Sequence, residues 1–400
     1  MISSNHYTRR HLIKIIILSS FFLSFIFPNI QKIDKRAIWV ISTSMGTEQE
    51  IKSALLFAYN NNYNMVFLQV RSRGDAFYNS NLVDKNPNIY PQEFDPLAYA
   101  IELGHSLGLE VHAWVNTYIL WSSKFKPGNK NHIYHLKPEW AEENKYGKSD
   151  AKLDLSGPLP KYWEGVYLSP LHPGVNSYLK DVFIEIAKNY DIDGLHFDYI
   201  RFHDDSYGYN RVGRENFKQL YNYDPIEIKR GEVISPRFGW SKAEIDSVNS
   251  LWNDYKSSSI TSLLIEVNDA IDKLGKDIKL SAAVKPGVEE ANVRWSQNWD
   301  YWIKEGILDF VVPMNYFKEI DIFLNRINEM RNNFSKKIIN EKIIMGIANY
   351  NQDSQSVIDK IVLTRMNDFD GISIFSYDSH KFNQSWMNEV NKILNESYIK

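Results

Sequence analysis

The residues best suited to chemistry lie in one short stretch, residues 193–202, which reads DGLHFDYIRF. After an Asp-Gly pair that favours a turn, apolar and polar residues alternate, which is the periodicity of a β-strand. On a strand, His196 and Asp198 point to one face and the apolar residues between and before them to the other. An ionised carboxylate there costs on the order of several kcal/mol unless it has a partner. Asp198 is therefore either paired with nearby Arg201 or used in a reaction.

The elements that position Asp198 follow from strand-like and helix-like segments that alternate along the chain. The strand-like segments span residues 36–43, 65–72, 110–120, 194–202, 278–286, 308–317, 342–350 and 371–378. The helix-like segments span residues 48–60, 96–107, 175–190, 243–274 with a break near 257–259, 299–305, 320–333, 355–367 and 386–395. Such alternation predicts a parallel sheet, and eight units predict a closed (β/α)8 TIM barrel.

Long insertions follow the third and fourth predicted strands, at residues 121–169 and 203–240. A doubly wound open sheet is the alternative to the barrel. The first strand, however, is followed by STSMGTEQE, which lacks the Gly-rich phosphate loop of a dinucleotide site. We therefore expect no cofactor, and one barrel domain over residues 36–398.

Composition narrows the class of partner. The chain has 400 residues, 44% of them hydrophobic, which is ample for a large core. The formal net charge of -3 gives no reason to expect nucleic acid as a partner. Cysteine is absent, which excludes disulfides, thiolate metal sites and a cysteine nucleophile.

The N-terminal residues 1–33 have the order of a targeting segment. Arg9, Arg10 and Lys14 form a basic region, and residues 15–27 are apolar except for serines. No small-x-small cleavage site follows, so the segment is either a signal peptide or a retained N-terminal anchor. We expect an exported protein of the periplasm or cell surface, attached to the membrane if the segment stays in place.

Functional side chains of a TIM barrel gather at the C-terminal ends of the strands. Here these ends carry carboxylates, amides and aromatic rings, the mixture that binds carbohydrate. Trp114, Tyr118 and Trp121 cluster at the third strand's end, and we expect at least one to stack on a sugar ring. The candidate substrate-binding residues are Arg71, Asn116, Tyr118, Trp121, His196, Arg201, Asn315, Tyr316 and Tyr377.

Motifs for other chemistries are missing from the sequence. It has no GxSxG nucleophile elbow, no HExxH zinc pair and no P-loop. His112 and His196 on adjacent predicted strands could join Asp198 as metal ligands. A lone strand histidine is more often a hydrogen-bonded core residue, so a metal site is the lesser alternative.

The strand sequences resemble those of the glycosyl hydrolase-like 10 family, bacterial exported (β/α)8 proteins related to retaining glycosidases. The matching stretches are RAIWVIST, FLQVRSRGDAFYNS, EVHAWVNTYI, LSPLHPGVNSYL and DGLHFDYIRF, with weaker matches in SAAVKPG, LDFVVPMNYF and GISIFSY. The resemblance implies glycoside hydrolysis, for some members on bacterial cell-wall glycans. The chain departs from the family at His203, where Pro is usual, and at Asn315, where Gln is frequent. Both departures bear on substrate preference.

Most glycosidases use two carboxyl groups, one kept ionised and one that carries a proton. Asp198 fits the ionised role if Arg201 holds its charge, and the resemblance implies that it is the nucleophile. The acid is open among rim residues, and we favour Asp75 because GDAFY lies in a family-like stretch. Nearby Arg71 or Arg73 would lower its pKa, which argues against it. The other candidates for the acid are Glu289, Glu290 and Asp378.

Two alternatives to a glycoside hydrolase stay open at this point. One is a glycan-binding barrel that lacks the acid, and the other is a metal-dependent glycan deacetylase. Release of new reducing ends separates hydrolysis from both, and sensitivity to EDTA identifies the deacetylase. The sequence leaves the sugar, the linkage, the stereochemical outcome and the oligomeric state open.

Overall fold

The structure is a computed structural model that describes residues 33–159, 163–230 and 241–395. The predicted targeting segment, up to residue 32, therefore lies outside the described residues. So does the end of the second predicted insertion, residues 231–240. Within the described ranges, none of the helices has both the length and the apolar character needed to cross a bilayer.

The strands follow the predicted order. They are β1 (Lys35–Val40), β2 (Met65–Arg71), β3 (Glu110–Asn116), β4 (Ile119–Trp121), β5 (Val166–Tyr167), β6 (Gly194–Asp198), β7 (Lys279–Val284), β8 (Phe310–Pro313), β9 (Ile344–Ala348) and β10 (Gly371–Phe375). β4 and β5 form a small antiparallel pair in the first insertion. The other strands belong to one parallel sheet.

The helices lie between the strands and in the insertions. They are α1 (Glu48–Asn60), α2 (Pro96–Ser106), α3 (Ile133–Leu136), α4 (Pro173–Asn189), α5 (Arg211–Tyr221), α6 (Pro225–Arg230), α7 (Lys242–Leu274), α8 (Val288–Trp295), α9 (Trp299–Lys304), α10 (Ile320–Asn333), α11 (Lys336–Lys342), α12 (Ser354–Met366), α13 (Tyr377–His380) and α14 (Gln384–Asn395). Side-chain caps explain several starts, such as Thr47 Oγ1 accepting from Glu50 N before α1.

The eight parallel strands form a nearly closed barrel. Their order is β8–β7–β6–β3–β2–β1–β10–β9, with every neighbouring pair parallel. Two further parallel bridges, Val311 with Ile343 and Met314 with Gly346, connect the two end strands. The predicted TIM barrel with insertions after its third and fourth strands, β3 and β6, is confirmed.

Strand alternation separates two apolar layers. Side chains of one parity fill the barrel, where Trp39 packs 4.7 Å from Trp114 and 4.8 Å from Phe67, centroid to centroid. Side chains of the other parity pack under the helices, as Phe197 does against Phe183 of α4 at 4.3 Å. His196 and Asp198 share one face of their strand, as the sequence predicts, and the structure shows that this face is the barrel interior, where His196 contacts Trp39 and Phe67. Asp198 ends the strand at the mouth of the barrel.

Several predicted strands are shorter in the structure, such as 194–202, which ends at Asp198, and 308–317, which covers only Phe310–Pro313. Two further differences have an identifiable physical cause. The third predicted strand, residues 110–120, ends at Asn116 because Tyr118 bonds elsewhere: its N–H donates to Tyr199 O and its carbonyl accepts from Leu168 N. The break expected near residues 257–259 is wrong, since α7 is continuous. Ser259 Oγ donates to Lys256 O within the helix, at 2.7 Å, so this serine is satisfied without a break.

Candidate active site

The C-terminal ends of the barrel strands surround a cleft of about 940 Å³. Every barrel strand contributes to it, either with its last residues or with the loop that follows. The lining combines three carboxylates, five basic side chains, several aromatic rings and amides. Its polar members include Ser42, Gln69, Arg73, Asn116, Glu164, Asp198, Arg201, Lys285, Glu290, Arg294, Tyr316, Arg326 and Tyr350.

Asp198 lies in the cleft with only 7% of its surface exposed. Its Oδ1 accepts from the backbone N–H of Tyr199 at 2.7 Å, and its Oδ2 accepts from Trp114 Nε1 at 3.1 Å. Tyr199 has a φ of +51°, a left-handed conformation that is uncommon for a bulky residue. Backbone strain of this kind is concentrated at functional sites, and here it immediately follows the carboxylate.

Burial raises the pKa of Asp198 to about 6, because water no longer stabilises the ionised form. The hydrogen bonds from Tyr199 N and Trp114, together with the charge of Arg201, oppose this rise without cancelling it. The negative charge of Glu164 adds to it. Asp198 is therefore a carboxyl group that gains and loses its proton at mildly acidic pH.

Arg201 pairs with Glu164 rather than with Asp198. Its Nη2 lies 2.8 Å from Glu164 Oε2, and its guanidinium packs over the rings of Tyr199 at 5.1 Å and Tyr167 at 5.9 Å. Tyr167 Oη also donates to Glu164 Oε2, at 2.6 Å. The expected Asp198–Arg201 pair thus gives way to one with a residue of the first insertion, which the fold brings to the cleft.

Burial by itself would raise the pKa of Glu164, but neighbouring cations outweigh it. The charges of Arg201 and Lys285 and the hydrogen bonds from Tyr167 and Arg201 lower this pKa to about 2. Lys285 in turn has a pKa lowered to about 8, through burial and the nearby charge of Arg201. Of these two carboxyl groups, Glu164 is ionised throughout the physiological pH range, whereas Asp198 is not.

Four of the predicted site residues meet in this cleft, namely Asp198, Asn116, Arg201 and Tyr316. Asn116 Nδ2 donates to Ser72 O at 2.8 Å, and Asn116 Oδ1 accepts from Gln69 Nε2 at 3.3 Å. Tyr316 packs against Phe375, with ring centroids 5.6 Å apart.

Three predicted ligands from the second and third strands do not line the cleft. Arg71 is fully buried and donates to the carbonyls of Asn116 and Thr117. Tyr118 is fully buried, with its Oη donating to Asn176 Oδ1 at 2.9 Å. Trp121 is half-buried, and its Nε1 donates to Phe125 O at 2.6 Å.

His196, Asn315 and Tyr377 also lie outside the cleft lining. His196 is fully buried inside the barrel, where its Nδ1 lies 2.8 Å from Ser281 Oγ. Asn315 Nδ2 donates to Phe323 O at 3.0 Å and is fully buried. Tyr377 packs its ring against Phe57 at 4.9 Å.

Most of the predicted candidates for the catalytic acid also lie outside the cleft lining. Asp75 accepts from Asn86 Nδ2 at 2.6 Å and from Arg73 N at 3.1 Å, away from the cleft lining. Asp378 accepts from Ile41 N at 3.0 Å, and Glu289 is exposed on α8. Of these four candidates, Glu290 alone lines the cleft.

The possible metal ligands have other partners. His196 bonds to Ser281, and His112 Nε2 lies 3.3 Å from Glu110 Oε2. Among the residues that the structure describes, no group of three or more His, Asp or Glu side chains is placed to bind a metal ion.

Glu164 is the cleft residue that sequence reasoning missed. It lies in the first insertion, within WEGVY, far from the end of any predicted strand. The short strand β5 begins two positions later and pairs with β4, which brings Glu164 beside Arg201. The aromatic residues around it were a signal, although one shared by many stretches of this Tyr-rich chain.

Comparison with known proteins gives a consistent result. Glycosyl hydrolase YngK of Bacillus subtilis (strain 168) is 24% identical over 273 residues, 64% of this chain and 46% of that protein. Glycosyl hydrolase DigH of Escherichia coli (strain K12) is 24% identical over 273 residues, 64% of this chain and 54% of that protein. The chain thus spans about half the length of the curated relatives it matches.

A solved structure supports the fold. The PgaB (BpsB) glycoside hydrolase domain from Bordetella bronchiseptica superposes with a TM-score of 0.67 at 11% identity, covering 91% of this chain and 99% of that one. The model of the glycosyl hydrolase-like 10 family matches residues 34–363, from before β1 into α12. Because that match covers well over half of the chain, the protein belongs to the glycosyl hydrolase-like 10 family.

Proposed function

We propose that the chain is a glycoside hydrolase that cleaves a poly- or oligosaccharide, with Asp198 as a catalytic carboxylate. The observation that carries this proposal is the state of Asp198 in the cleft. It is buried, it has no ion-pair partner among the described residues, and its pKa is raised to about 6. General acid–base catalysis needs a group that exchanges its proton near the working pH.

The rest of the cleft suits a carbohydrate. Trp39 Nε1 and Tyr316 Oη are buried polar atoms of the lining that have no hydrogen-bond partner within the described residues. Buried polar atoms are normally paired, so both are suited to bond a ligand's hydroxyl groups. The exposed ring of Tyr350 offers an apolar face on the same lining. Both kinds of contact support an oligosaccharide ligand.

We propose a bacterial cell-wall glycan as the substrate. Support comes from the family resemblance in the strand motifs and from the basic-then-apolar order of residues 1–33, which favours export. The relatives YngK and DigH are named glycosyl hydrolases, which supports cleavage of an O-glycosyl bond. Periplasm or cell surface is the location that matches such a substrate.

The test is the substitution Asp198→Asn, assayed by release of new reducing ends from purified cell-wall glycan strands. Asn keeps the shape of the side chain but removes its proton and charge. We expect the rate to fall by roughly 10²–10⁴-fold or more, with the fold retained and the glycan still bound. Circular dichroism and binding of the uncleaved glycan check the last two points.

Asp309→Asn is the matched control. Asp309 precedes β8 at the opposite end of the barrel, where its Oδ2 accepts from Leu280 N at 2.8 Å, and an amide oxygen can replace that acceptor. Cleavage by this variant should match that of the unmodified chain. Near-normal turnover by Asp198→Asn contradicts the proposal, and binding without cleavage by the unmodified chain identifies a glycan-binding barrel instead.

A further inference from the structure

Glu164 is a second carboxylate of the cleft, and within the described part of the chain only one of its two oxygens accepts hydrogen bonds. The bonds from Arg201 and Tyr167 both end on Oε2, at 2.8 and 2.6 Å. Among the described residues, no hydrogen bond ends on Oε1, and 36% of the side chain is exposed. The carboxylate is therefore held from one side, with the other oxygen available to a molecule in the cleft.

The surroundings of the two carboxyl groups shift their pKa values in opposite directions. Burial raises the pKa of Asp198 to about 6, whereas two cations and two hydrogen bonds lower that of Glu164 to about 2 despite its partial burial. Between these values Asp198 holds a proton and Glu164 does not. Pairs of titratable groups separated in this way mark the acid and the base of a site.

The other cleft carboxylate does not fit either role. Glu290 Oε2 lies 2.8 Å from Arg326 Nη2, and its Oε1 lies 3.7 Å from Arg294 Nη1. Both of its oxygens therefore face a guanidinium group. The negative charge of Glu164, by contrast, acts on Asp198 and raises its pKa.

On the basis of the proposed function, we infer that Glu164 is the second catalytic carboxylate. Its Oε1 faces the anomeric carbon of the bound sugar, and Asp198 gives a proton to the oxygen that leaves. This assignment reverses the expectation that Asp198 is the nucleophile, because the guanidinium of Arg201 bonds directly to Glu164, at 2.8 Å, and forms no ion pair with Asp198 within the described residues.

The reaction is a hydrolysis, and water is its only co-reactant. The bond between the anomeric carbon and the glycosidic oxygen breaks, its electron pair stays on that oxygen, and the oxygen takes the proton of Asp198. Glu164 offsets the positive charge that develops at the anomeric carbon. A water oxygen then bonds to that carbon, and the proton which the water releases restores Asp198.

The groups that act on Asp198 electrostatically define the expected pH dependence. They are Glu164, Arg201, Lys285, Tyr199 and Tyr316. Because Asp198 must be protonated, kcat/KM should fall as the pH rises through about 6. Removing the charge of Glu164 removes an effect that raises the pKa of Asp198, so this fall should then move to lower pH.

The experiment compares the unmodified chain with Glu164→Gln and Glu139→Gln on cell-wall glycan strands over a range of pH. Glu139 is an exposed residue of the same insertion and lies outside the cleft lining, so its variant should behave like the unmodified chain. Glu164→Gln should lower kcat by about 10³-fold at pH values where Asp198 is protonated in both chains, and change KM only a few-fold, since the lost interaction is made in the transition state. Its residual activity should fall at lower pH than that of the unmodified chain.

The possible failures are distinct. If the unmodified chain releases no reducing ends, the proposed function falls and this inference falls with it. If that chain cleaves and Glu164→Gln cleaves within tenfold of it, only the inference is overturned. A pH profile without the decline near pH 6 also overturns it. If Glu164→Gln does not fold, Glu164→Asp serves in its place, because it keeps the charge beside Arg201 and withdraws the oxygen by one methylene, and the same loss of kcat is expected.

Discussion

Asp198 and Glu164 carry the same functional group, and their neighbours decide how each behaves. Asp198 accepts hydrogen bonds from Tyr199 N and Trp114, which are weaker stabilisers of charge than a guanidinium group. Glu164 has the guanidinium of Arg201 at 2.8 Å. The direct contact with Arg201, together with Lys285 and Tyr167, keeps Glu164 ionised, and residue types alone do not reveal this arrangement.

A second pair of buried carboxyl groups lies in the first insertion. Glu142 and Asp150 each have 1% of their surface exposed, and burial raises their pKa values to about 8 and about 7. Asp150 Oδ2 accepts from Tyr167 N at 3.2 Å, and Tyr167 holds Glu164. These two buried carboxyl groups therefore contribute most to the stability of the fold when they are protonated.

We predict that Glu142→Gln becomes more stable than the unmodified chain as the pH rises. The folded pKa of Glu142 lies above its ordinary value of 4.5, so its contribution to stability is complete below pH 4.5. That contribution is lost as the pH rises towards 8. Glutamine resembles the protonated acid and does not ionise, so its contribution to stability does not change with pH. The free energy of unfolding should differ little at pH 4 and by a few kcal/mol, roughly, at pH 8.

Urea unfolding at pH 4, 6 and 8 measures this difference. Glu139→Gln, on the exposed surface of the same insertion, should give the profile of the unmodified chain. Equal stabilities of Glu142→Gln and the unmodified chain at all three pH values would mean that the buried carboxyl group ionises without cost.

The loops that follow the barrel strands contribute many residues to the cleft lining, and the loop after β9 carries the most exposed aromatic ring of that lining. Tyr350 is 56% exposed and lies 6.2 Å from Phe375, centroid to centroid. We predict that Tyr350→Ala weakens glycan binding about fivefold, since an aromatic contact contributes roughly 1 kcal/mol. Stability should change by less than about 0.5 kcal/mol, because the ring is on the surface.

Titration calorimetry with cell-wall glycan fragments tests this, with Asp198→Asn present in every variant to prevent cleavage. Tyr59→Ala is the matched control, since Tyr59 is 53% exposed at the end of α1 and lies outside the cleft lining. An unchanged Kd for Tyr350→Ala would exclude a contact between this ring and the glycan.

The barrel strands were predictable because each is a buried apolar run bounded by turn residues. Alternation alone predicted that His196 and Asp198 share one face of their strand. The end of β3 was not predictable, because it depends on the carbonyl of Tyr118 finding a donor at Leu168, in a distant part of the chain. Local pattern contains no information about such pairings.

The same limit explains the predicted site. Asn116, Asp198, Arg201 and Tyr316 lie at or near strand ends, and the barrel rule brings them into the cleft. Arg71, Tyr118 and Asn315 also lie at strand ends, but they bond to backbone or core partners. Glu164 lies 34 positions before Asp198 in an irregular loop, and the pairing of β4 with β5 brings it to the cleft.

At the scale of the whole molecule, Ile33, the first residue that the structure describes, already belongs to the core. This side chain is 1% exposed in the core, and its carbonyl accepts from Arg36 Nη1 at 2.8 Å. Asp34 N donates to Asp370 O at 2.9 Å, and β1 then pairs with β10 from Lys35 onward. The first residues of β1 therefore help to hold two neighbouring strands of the barrel, β1 and β10, together.

We therefore propose that residues 1–32 direct export and contribute nothing to the barrel, and we predict different outcomes for two truncations. A chain that begins at Ile33 should stay soluble, melt within a few degrees of the full chain and remain in the cytoplasm, whereas the full chain is exported. A chain that begins at Ile38 loses three pairs of β1 with β10 and the buried Ile33, and it should aggregate. Cell fractionation and thermal melting measure these outcomes. Aggregation of the chain that begins at Ile33 would make the first segment part of the fold, and its appearance outside the cytoplasm would remove the targeting role.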